Sequence, residues 1–168
     1  KKKADEEAAK KKAEEAAKKK AEEAAKKKAE QEKAWFTPIE DLSNIKIGIA
    51  LGYTGPVESL MPGMDKLIVH AINEATSSGL FLEGKDIIII KEDTTCTNNI
   101  SAIAAAERLL NHGVIAIVGA ACTGVTKAIG SNVTMPNKIP LVSPAASSQD
   151  LFNSDDNNLF FRTVPSDS

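Results

Sequence analysis

The stretch "NNISAIAAAERLLNHGVIAIVGAACTGVTKA", residues 98–128, decides the fold. Its first half spaces apolar residues at helical intervals and ends at Gly113, a residue type that often terminates helices. "VIAIVGAA" (114–121) then predicts a short strand with almost continuous apolar character. The chain leaves this strand through "CTG" (122–124) and enters a second helical segment. Helix, apolar strand and helix in such quick succession indicate an α/β domain.

The same alternation continues on both sides of this stretch. Gly and Pro residues separate short apolar runs from segments with helical spacing. We predict strands at 45–56, 85–96, 114–121 and 139–144, a possible further strand at 158–165, and helices at 60–79, 98–113 and, less regularly, 123–138.

The apolar residues of these segments predict which faces are buried. Four consecutive isoleucines at 87–90 indicate that the strand at 85–96 is buried on both faces. The helix at 60–79 should turn one apolar stripe inward, formed by Met64, Leu67, Ile68, Ala71, Ile72 and Ala75. The helix at 98–113 should do the same with Ile103, Ala106, Leu109 and Leu110.

The fold class that follows is α/β, an open parallel sheet with helices on both faces. In such sheets a ligand crevice lies beyond the carboxyl ends of the strands. Four segments should therefore line one edge of the domain: 52–56, 93–96, 120–124 and 143–148.

Residues 1–34 differ in composition from the rest of the chain. They hold 13 Lys against 9 Asp and Glu in repeats of the type "KKKAEEAA", whereas the remainder holds 8 Lys and Arg against 14 Asp and Glu. Glu precedes Lys by four residues throughout the repeat, which stabilises a helix by roughly 0.2–0.5 kcal/mol per pair. We predict a long solvated single helix at 1–34 as a spacer, a junction at 35–42 with Trp35 and Phe36 available for packing, and a domain at 43–168. An engineered fusion or a solvated tail would also explain the repeat.

Charge and motifs exclude several classes of function. The formal net charge of -2 is too small to indicate a nucleic-acid partner or a membrane surface. The sequence has no GxGxxG, GxxxxGK[ST], GxSxG or HExxH motif, so we expect no catalytic residues, no metal site and no cofactor. No apolar run approaches the ~20 residues of a membrane span. The chain opens on Lys1 within a repeat, and we expect its natural start to lie upstream.

Five pieces, in this order, carry a resemblance to a known family: "IKIGIALGYTGP", "LEGKDIIIIKEDTTC", "ERLLNHGVIAIVGAACTG", "IPLVSPAASS" and "LFFRTVPSDS". Together they resemble the first lobe of type I periplasmic solute-binding proteins, in the group that binds leucine, isoleucine and valine for ABC importers. The resemblance implies a periplasmic protein whose two lobes close around an amino acid and then meet a membrane permease. It also implies that this chain holds the first lobe without the second. The repeat at 1–34 resembles the periplasmic spacer of the TolA family.

The resemblance implies where the first lobe would hold its ligand. Thr123 and Gly124 offer a hydroxyl and backbone N–H groups at the start of a helix, a combination that suits a carboxylate. The Ala145 carbonyl and the Ser147 hydroxyl match positions that hold the charged groups of an amino acid. Tyr53 and Leu60 would contact the ligand side chain at the cleft mouth. Alternatively, the hydroxyl residues of both exits (Thr123, Ser143, Ser147 and Ser148) are only helix caps or turn residues.

Cys96 and Cys122 follow two predicted strands at the same edge of the sheet, within possible bridging distance of each other. The resembling group has a disulfide at the matching positions, which implies a disulfide here and an oxidising compartment. Two buried free thiols are the alternative.

Two further functions stay open at this point. The domain would instead be a periplasmic sensor of a receptor or cell-envelope regulator if the spacer helix were a tether or signalling stalk. It would be a structural or interaction protein if the repeat helix carried the function and the α/β domain were a cap.

Overall fold

The computed structural model describes residues 17–23, 26, 45–81, 84–151 and 158–167. The chain divides into two compact units, Lys1–Glu40 and Asp41–Ser168. In the first unit, residues 17–23 are helical and exposed, as the repeat predicts. Most of the predicted spacer at 1–34 and all of the predicted junction at 35–42, with Trp35 and Phe36, lie outside the described residues. Their boundaries stay predictions.

The second unit contains a five-stranded parallel sheet in the order β2-β1-β3-β4-β5. Each of the first four strands is followed by a helix or by a connection that returns the chain to the amino end of the sheet, so the predicted open parallel α/β fold is confirmed. In chain order the elements are β1 (Lys46–Leu51), α1 (Met61–Ser77), β2 (Ile88–Asp93), α2 (Asn99–Asn111), β3 (Ala116–Gly119), α3 (Thr123–Ile129), a π-helical turn (Gly130–Thr134), β4 (Leu141–Ser143) and β5 (Phe160–Arg162).

The termini of α2 show how local chemistry sets these boundaries. The Asn98 side chain accepts hydrogen bonds from the N–H groups of Ile100 and Ser101, at 2.9 and 3.2 Å, and so caps the first turn. At the other end Gly113 adopts a φ of 78°, which a glycine tolerates without strain. The chain therefore turns directly from α2 into β3.

The two faces of the sheet pack against different helices. On one face, Ala50, Ile117 and Leu141 from three strands lie beneath α2 and α3 in a cluster with side chains less than 5% exposed. On the other face, Ile49 and Leu51 pack beneath α1. Helices on both faces are thus confirmed, with two on one side and one on the other.

The single helix leaves part of its face of the sheet open. Leu67 and Ala71 belong to the predicted inward stripe of α1 but are exposed, Leu67 by 69%. They border a groove of about 400 Å³ whose floor includes Val118 and Val142. The stripe predicts the inward face of α1 correctly for Met64 and Ile68, which pack on the core, but it is wrong for Leu67 and Ala71. Those two project past β1 toward the uncovered strands.

The predicted burial of the second strand on both faces is wrong. None of the residues of β2 is buried, and Ile88 is 43% exposed. The reason is topological, because β2 lies at the edge of the sheet and only β1 pairs with it. The predicted helix at 123–138 is likewise shorter, since α3 passes into the π-helical turn and then into turns at 135–138.

Candidate functional site

The carboxylate of Asp93 joins the chain exits of β1 and β2. Thr54 donates to it from its backbone N–H at 3.3 Å and from its hydroxyl at 2.5 Å, and the Thr95 N–H donates at 2.9 Å. Burial alone would raise the pKa of Asp93, but these hydrogen bonds outweigh it and the pKa is lowered. Asp93 is therefore an ionised acceptor that fixes two loops at the carboxyl edge.

A disulfide joins the exits of β2 and β3. It links Cys96 to Cys122 across 26 residues, with the Cα atoms 5.5 Å apart. Gly52, at the end of β1, lies against it, because a Cβ at this position would be 3.4 Å from the Cβ of Cys96. The predicted pairing is confirmed, and the alternative of two free thiols is wrong.

The Ala120 carbonyl joins the exits of β3 and β4. It accepts hydrogen bonds from the Ser143 hydroxyl at 2.5 Å and from the Thr126 hydroxyl at 2.9 Å. The Ser143 oxygen in turn accepts from the Ala146 N–H at 3.0 Å. Ser143 is completely buried, and its hydroxyl is used in these two hydrogen bonds within the protein. For Ser143, the alternative interpretation as a turn residue is therefore correct.

The segment 143–149, which we call the serine loop, is held by the chain that follows β4. Arg162 donates from Nη1 to the carbonyls of Ser147 and Ser148, at 3.1 Å each. The Gln149 side chain donates to the Asp167 carbonyl at 2.6 Å. The loop is thus anchored through its backbone from the side of β5.

Thr123 is the first residue of α3 and is partly buried. It does not cap the helix, because the N-cap is Cys122 and no side chain caps this end. Within the described part of the chain, the Thr123 hydroxyl has no hydrogen-bond partner, and its neighbour Gly124 is exposed. The cap interpretation is therefore wrong for Thr123.

The residues predicted for the opposite end of the ligand lie on the serine loop. Ala145 is partly buried and packs against the apolar cluster beneath α1. Its carbonyl accepts no hydrogen bond from the residues that the structure describes. The Ser147 hydroxyl donates to Asp167 Oδ2 at 3.1 Å. The Ser148 hydroxyl accepts a long hydrogen bond, 3.4 Å from the Asp150 N–H, as the hydroxyl of a turn residue would.

Tyr53 packs on the same apolar cluster as Ala145, so the structure brings these two predicted residues to one place. The Tyr53 hydroxyl donates to Asp65 Oδ1 at 2.7 Å, and Lys91 donates to Asp65 Oδ2 at 2.5 Å. Burial, and then the hydrogen bond with Asp65, raise the pKa of Tyr53 well above its ordinary value. Leu60 lies immediately before α1 and is 61% exposed.

Three acidic residues at or near this edge were not predicted from the sequence. Asp93 follows an apolar run at a strand end, a position that parallel sheets use for ligands and loop contacts, so the sequence did contain a signal. Asp65 lies within the polar side of a helix, and Asp167 lies in "PSDS" near the end of the chain. Neither of these two has a sequence pattern that marks its role.

The described ranges contain neither a cluster of metal-ligating side chains nor a membrane-spanning helix. Across residues 17–23, 26, 45–81, 84–151 and 158–167, no three His, Cys, Asp or Glu side chains come together as metal ligands. Of the helices described, none has the length and apolar character needed to cross a membrane.

Comparison with known proteins gives a consistent family. The sequence profile of the periplasmic binding protein family matches residues 44–168. Among curated proteins, none matches the chain.

Several solved structures share the fold. A branched-chain amino acid transporter substrate-binding protein, LivJ from Streptococcus pneumoniae in complex with isoleucine, is 25% identical with a TM-score of 0.64, over 73% of this chain and 34% of that one. An ABC-type branched-chain amino acid transporter protein from Rhodopseudomonas palustris CGA009 is also 25% identical, with a TM-score of 0.62 over 73% and 33% of the two chains.

A third similar structure shows the fold alone. It is a solute-binding protein of an ABC transporter from Rhodopseudomonas palustris BisB5, in complex with 3,4-dihydroxy benzoic acid, at 22% identity and a TM-score of 0.62 over 74% and 32% of the chains. This chain spans about a third of the length of each of these proteins. The family profile covers most of the sequence and the parallel sheet agrees with it, so the chain belongs to the periplasmic binding protein family.

Proposed function

We propose that the domain at 43–168 binds a small solute, an amino acid with a branched apolar side chain, at the carboxyl edge of its sheet. It would act as one lobe of a two-lobed periplasmic receptor that delivers the solute to the permease of an ABC importer. The observation that carries this proposal is the Thr123 hydroxyl, which lies at that edge, does not cap the helix and donates to none of the residues that the structure describes.

The polar groups of the edge match the two charged ends of an amino acid. The Thr123 hydroxyl and the N–H groups of Thr123 and Gly124 are donors for a carboxylate. The Ala145 carbonyl is an acceptor for an ammonium, and Ser147 stands two residues further along the serine loop. Thr123 lies in the first turn of α3, and Arg162 anchors the serine loop by donating to the carbonyls of Ser147 and Ser148, which lowers the entropic cost of binding.

The apolar part of the edge matches an apolar ligand side chain. The Tyr53 ring packs between the core and the carboxyl edge, and its orientation is fixed by the hydrogen bond to Asp65. Leu60 follows Tyr53 in the loop before α1. Its side chain is exposed and would contact the ligand after the lobes close. The isoleucine bound by the similar protein from Streptococcus pneumoniae, at 25% identity, supports a ligand of this class.

The mechanism is binding followed by closure, without chemistry on the solute. One lobe supplies the contacts described above, and a second lobe buries the ligand by rotation about a hinge. The closed form is then the state that the permease recognises. Because a single lobe leaves the ligand open to water, we expect this chain alone to bind weakly, with a Kd of about 1 mM or higher, a binding free energy near -4 kcal/mol.

Ligand titration of this chain by NMR tests the proposal. L-isoleucine should bind in the millimolar range, and Thr123→Val should weaken binding by about tenfold or more, because a hydrogen bond to a charged group is lost. Ser131→Ala, an exposed hydroxyl on the π-helical turn, is the matched control and should change nothing. Equal affinities for the wild type and Thr123→Val, or no binding by the wild type at high ligand concentration, would rule the proposal out.

A further inference from the structure

We propose that Asp65 is a positioning residue for solute binding, which acts through Tyr53 by fixing the ring of that residue at the carboxyl edge of the sheet. The inference rests on the proposed function and adds to it a residue of α1 that does not itself contact the solute. It starts from the hydrogen bond that the Tyr53 hydroxyl donates to Asp65 Oδ1 at 2.7 Å, a contact that the sequence did not reveal.

A second hydrogen bond holds the Asp65 carboxylate in place for Tyr53. Lys91, on β2, donates from Nζ to Asp65 Oδ2 at 2.5 Å, so each carboxylate oxygen has a donor of its own. Burial alone would raise the pKa of Asp65, but these hydrogen bonds outweigh it, and the carboxylate is ionised and acts only as an acceptor. The proton of the Tyr53 hydroxyl is therefore directed to Asp65, which fixes the ring relative to both α1 and β2.

The elements around Tyr53 are held in place without Asp65. The next residue, Thr54, donates to Asp93 from its N–H at 3.3 Å, which fixes the backbone that follows β1. The first turn of α1 is anchored by Met61, whose side chain is 1% exposed and belongs to the buried core. A substitution that removes only the Asp65 carboxylate should therefore free the Tyr53 side chain and leave the fold unchanged.

The position of the ring affects the solute because the ring shares one cluster with residues from two of the strand exits. Tyr53 and Ala145 both pack on the buried cluster that includes Ala121. Ala121 stands two residues before Thr123 in the sequence, and the Ala145 carbonyl is itself a proposed contact of the solute. A ring that must first be ordered by the solute costs conformational entropy on binding. The contact with Asp65 removes this cost, because the ring is ordered before the solute arrives.

A double-mutant cycle in solute affinity tests this role. The four chains are the wild type, Asp65→Ala, Tyr53→Phe and the double variant, each titrated with L-isoleucine and followed by NMR. Each single variant should weaken binding by about two- to fivefold, because each removes the same hydrogen bond. The double variant should bind as each single variant does, because Asp65 acts through a hydroxyl that Tyr53→Phe has already removed.

Two controls separate positioning from a general structural role. Glu74→Gln removes an exposed charge from the same helix and should leave the affinity unchanged. Urea unfolding of each variant identifies the chains that are folded during the titration, and Asp65→Asn replaces Asp65→Ala in the cycle if the alanine variant is not. Additive losses in the double variant would overturn the inference, because Asp65 would then act independently of the Tyr53 hydroxyl. A loss in Glu74→Gln equal to that in Asp65→Ala would overturn it as well.

The failures of the two proposals have different signatures. If the wild type does not bind L-isoleucine, the proposed function fails, and this inference fails with it. If the wild type binds and Asp65→Ala binds with equal affinity, the proposed function stands and the inference alone is overturned. A loss in both single variants that does not increase in the double variant supports both proposals together.

Discussion

At the scale of single residues, the hydroxyl groups at the carboxyl edge differ in what they bind. Ser143 is buried and donates to the Ala120 carbonyl, so its role is to join two strand exits. Ser147 donates to Asp167, and Thr123 donates to no described residue. Only the last of these is a donor left over for a ligand. This difference is what separates the binding interpretation of Thr123 from the turn interpretation of Ser143.

Tyr53 gives a spectroscopic prediction at this scale, since it is the only tyrosine of the sequence. Its raised pKa, caused by burial and by the hydrogen bond to Asp65, means that its ultraviolet titration in the folded chain should begin above the ordinary value of about 10. Because the pKa is higher in the folded state, the associated stability is present below pH ~10 and is lost as the pH rises above that value.

Asp65→Asn should lower the Tyr53 pKa part of the way, because burial remains while the acceptor loses its charge. Burial also acts on Asp65 itself, but the hydrogen bonds from Lys91 and Tyr53 outweigh it and lower the pKa of that carboxyl. The control is Glu74→Gln, an exposed position on the same helix. An unchanged Tyr53 titration in Asp65→Asn would contradict the assigned hydrogen bond.

Sequence patterns identified these residues to different degrees. The positions of Thr123, Ala145 and Ser147 followed from strand exits and from the family resemblance, and the structure puts all three at the predicted edge. The hydrogen-bond partner of each hydroxyl could not be predicted from the sequence, because it depends on which groups the fold brings close and not on residue type. The hydrogen-bond partners of Asp65 are 12 and 26 residues away in the sequence. Those of Asp167 are 18 and 20 residues away, and no local sequence pattern marks pairs at such separations.

At the scale of elements, four links hold the strand exits side by side. Asp93 joins β1 to β2, the disulfide joins β2 to β3, the Ala120 carbonyl joins β3 to β4, and the Thr163 N–H donates to the Ser143 carbonyl at 3.1 Å to join β4 to β5. Each link is made by residues at a strand end or shortly after it. The edge is therefore rigid before any ligand binds, which favours binding.

The disulfide is the link with the largest expected effect on stability. Its 26-residue separation predicts that reduction lowers the free energy of unfolding by about 3.5 kcal/mol, through the entropy of the unfolded chain. Urea unfolding of the oxidised and reduced chain measures this difference. The double variant Cys96→Ser/Cys122→Ser should match the reduced chain and should not respond to reductant. An identical unfolding midpoint with and without reductant would contradict the prediction.

The elements themselves were predicted better than their burial. Every predicted strand and helix of the second unit is present, because short apolar runs and helical spacing depend on local sequence. The position of β2 at the edge of the sheet depends on strand order, which local sequence does not determine. The four isoleucines therefore indicated a strand correctly and its burial wrongly.

At the scale of the whole molecule, the sheet offers two places for an apolar ligand. One is the carboxyl edge, where Tyr53 and Ala145 pack against the same buried cluster. The other is the groove beside α1, which Leu67, Val118 and Val142 line. Apart from Thr163, whose hydroxyl donates to the Pro144 carbonyl at 3.3 Å, the groove is lined by apolar residues. An amino acid should therefore bind at the edge, where donors and acceptors are present.

Mapping of backbone amide shifts on the isotope-labelled chain, during titration with L-isoleucine, tests the central claim most directly. The account predicts that the shifted amides fall in the four strand exits, 52–56, 93–96, 120–124 and 143–148, with Thr123 and Ser147 among the largest changes. Shifts confined to the groove, at Leu67, Ala71 and Val118, would contradict it, because the solute would then bind through apolar contact alone and not at the carboxyl edge.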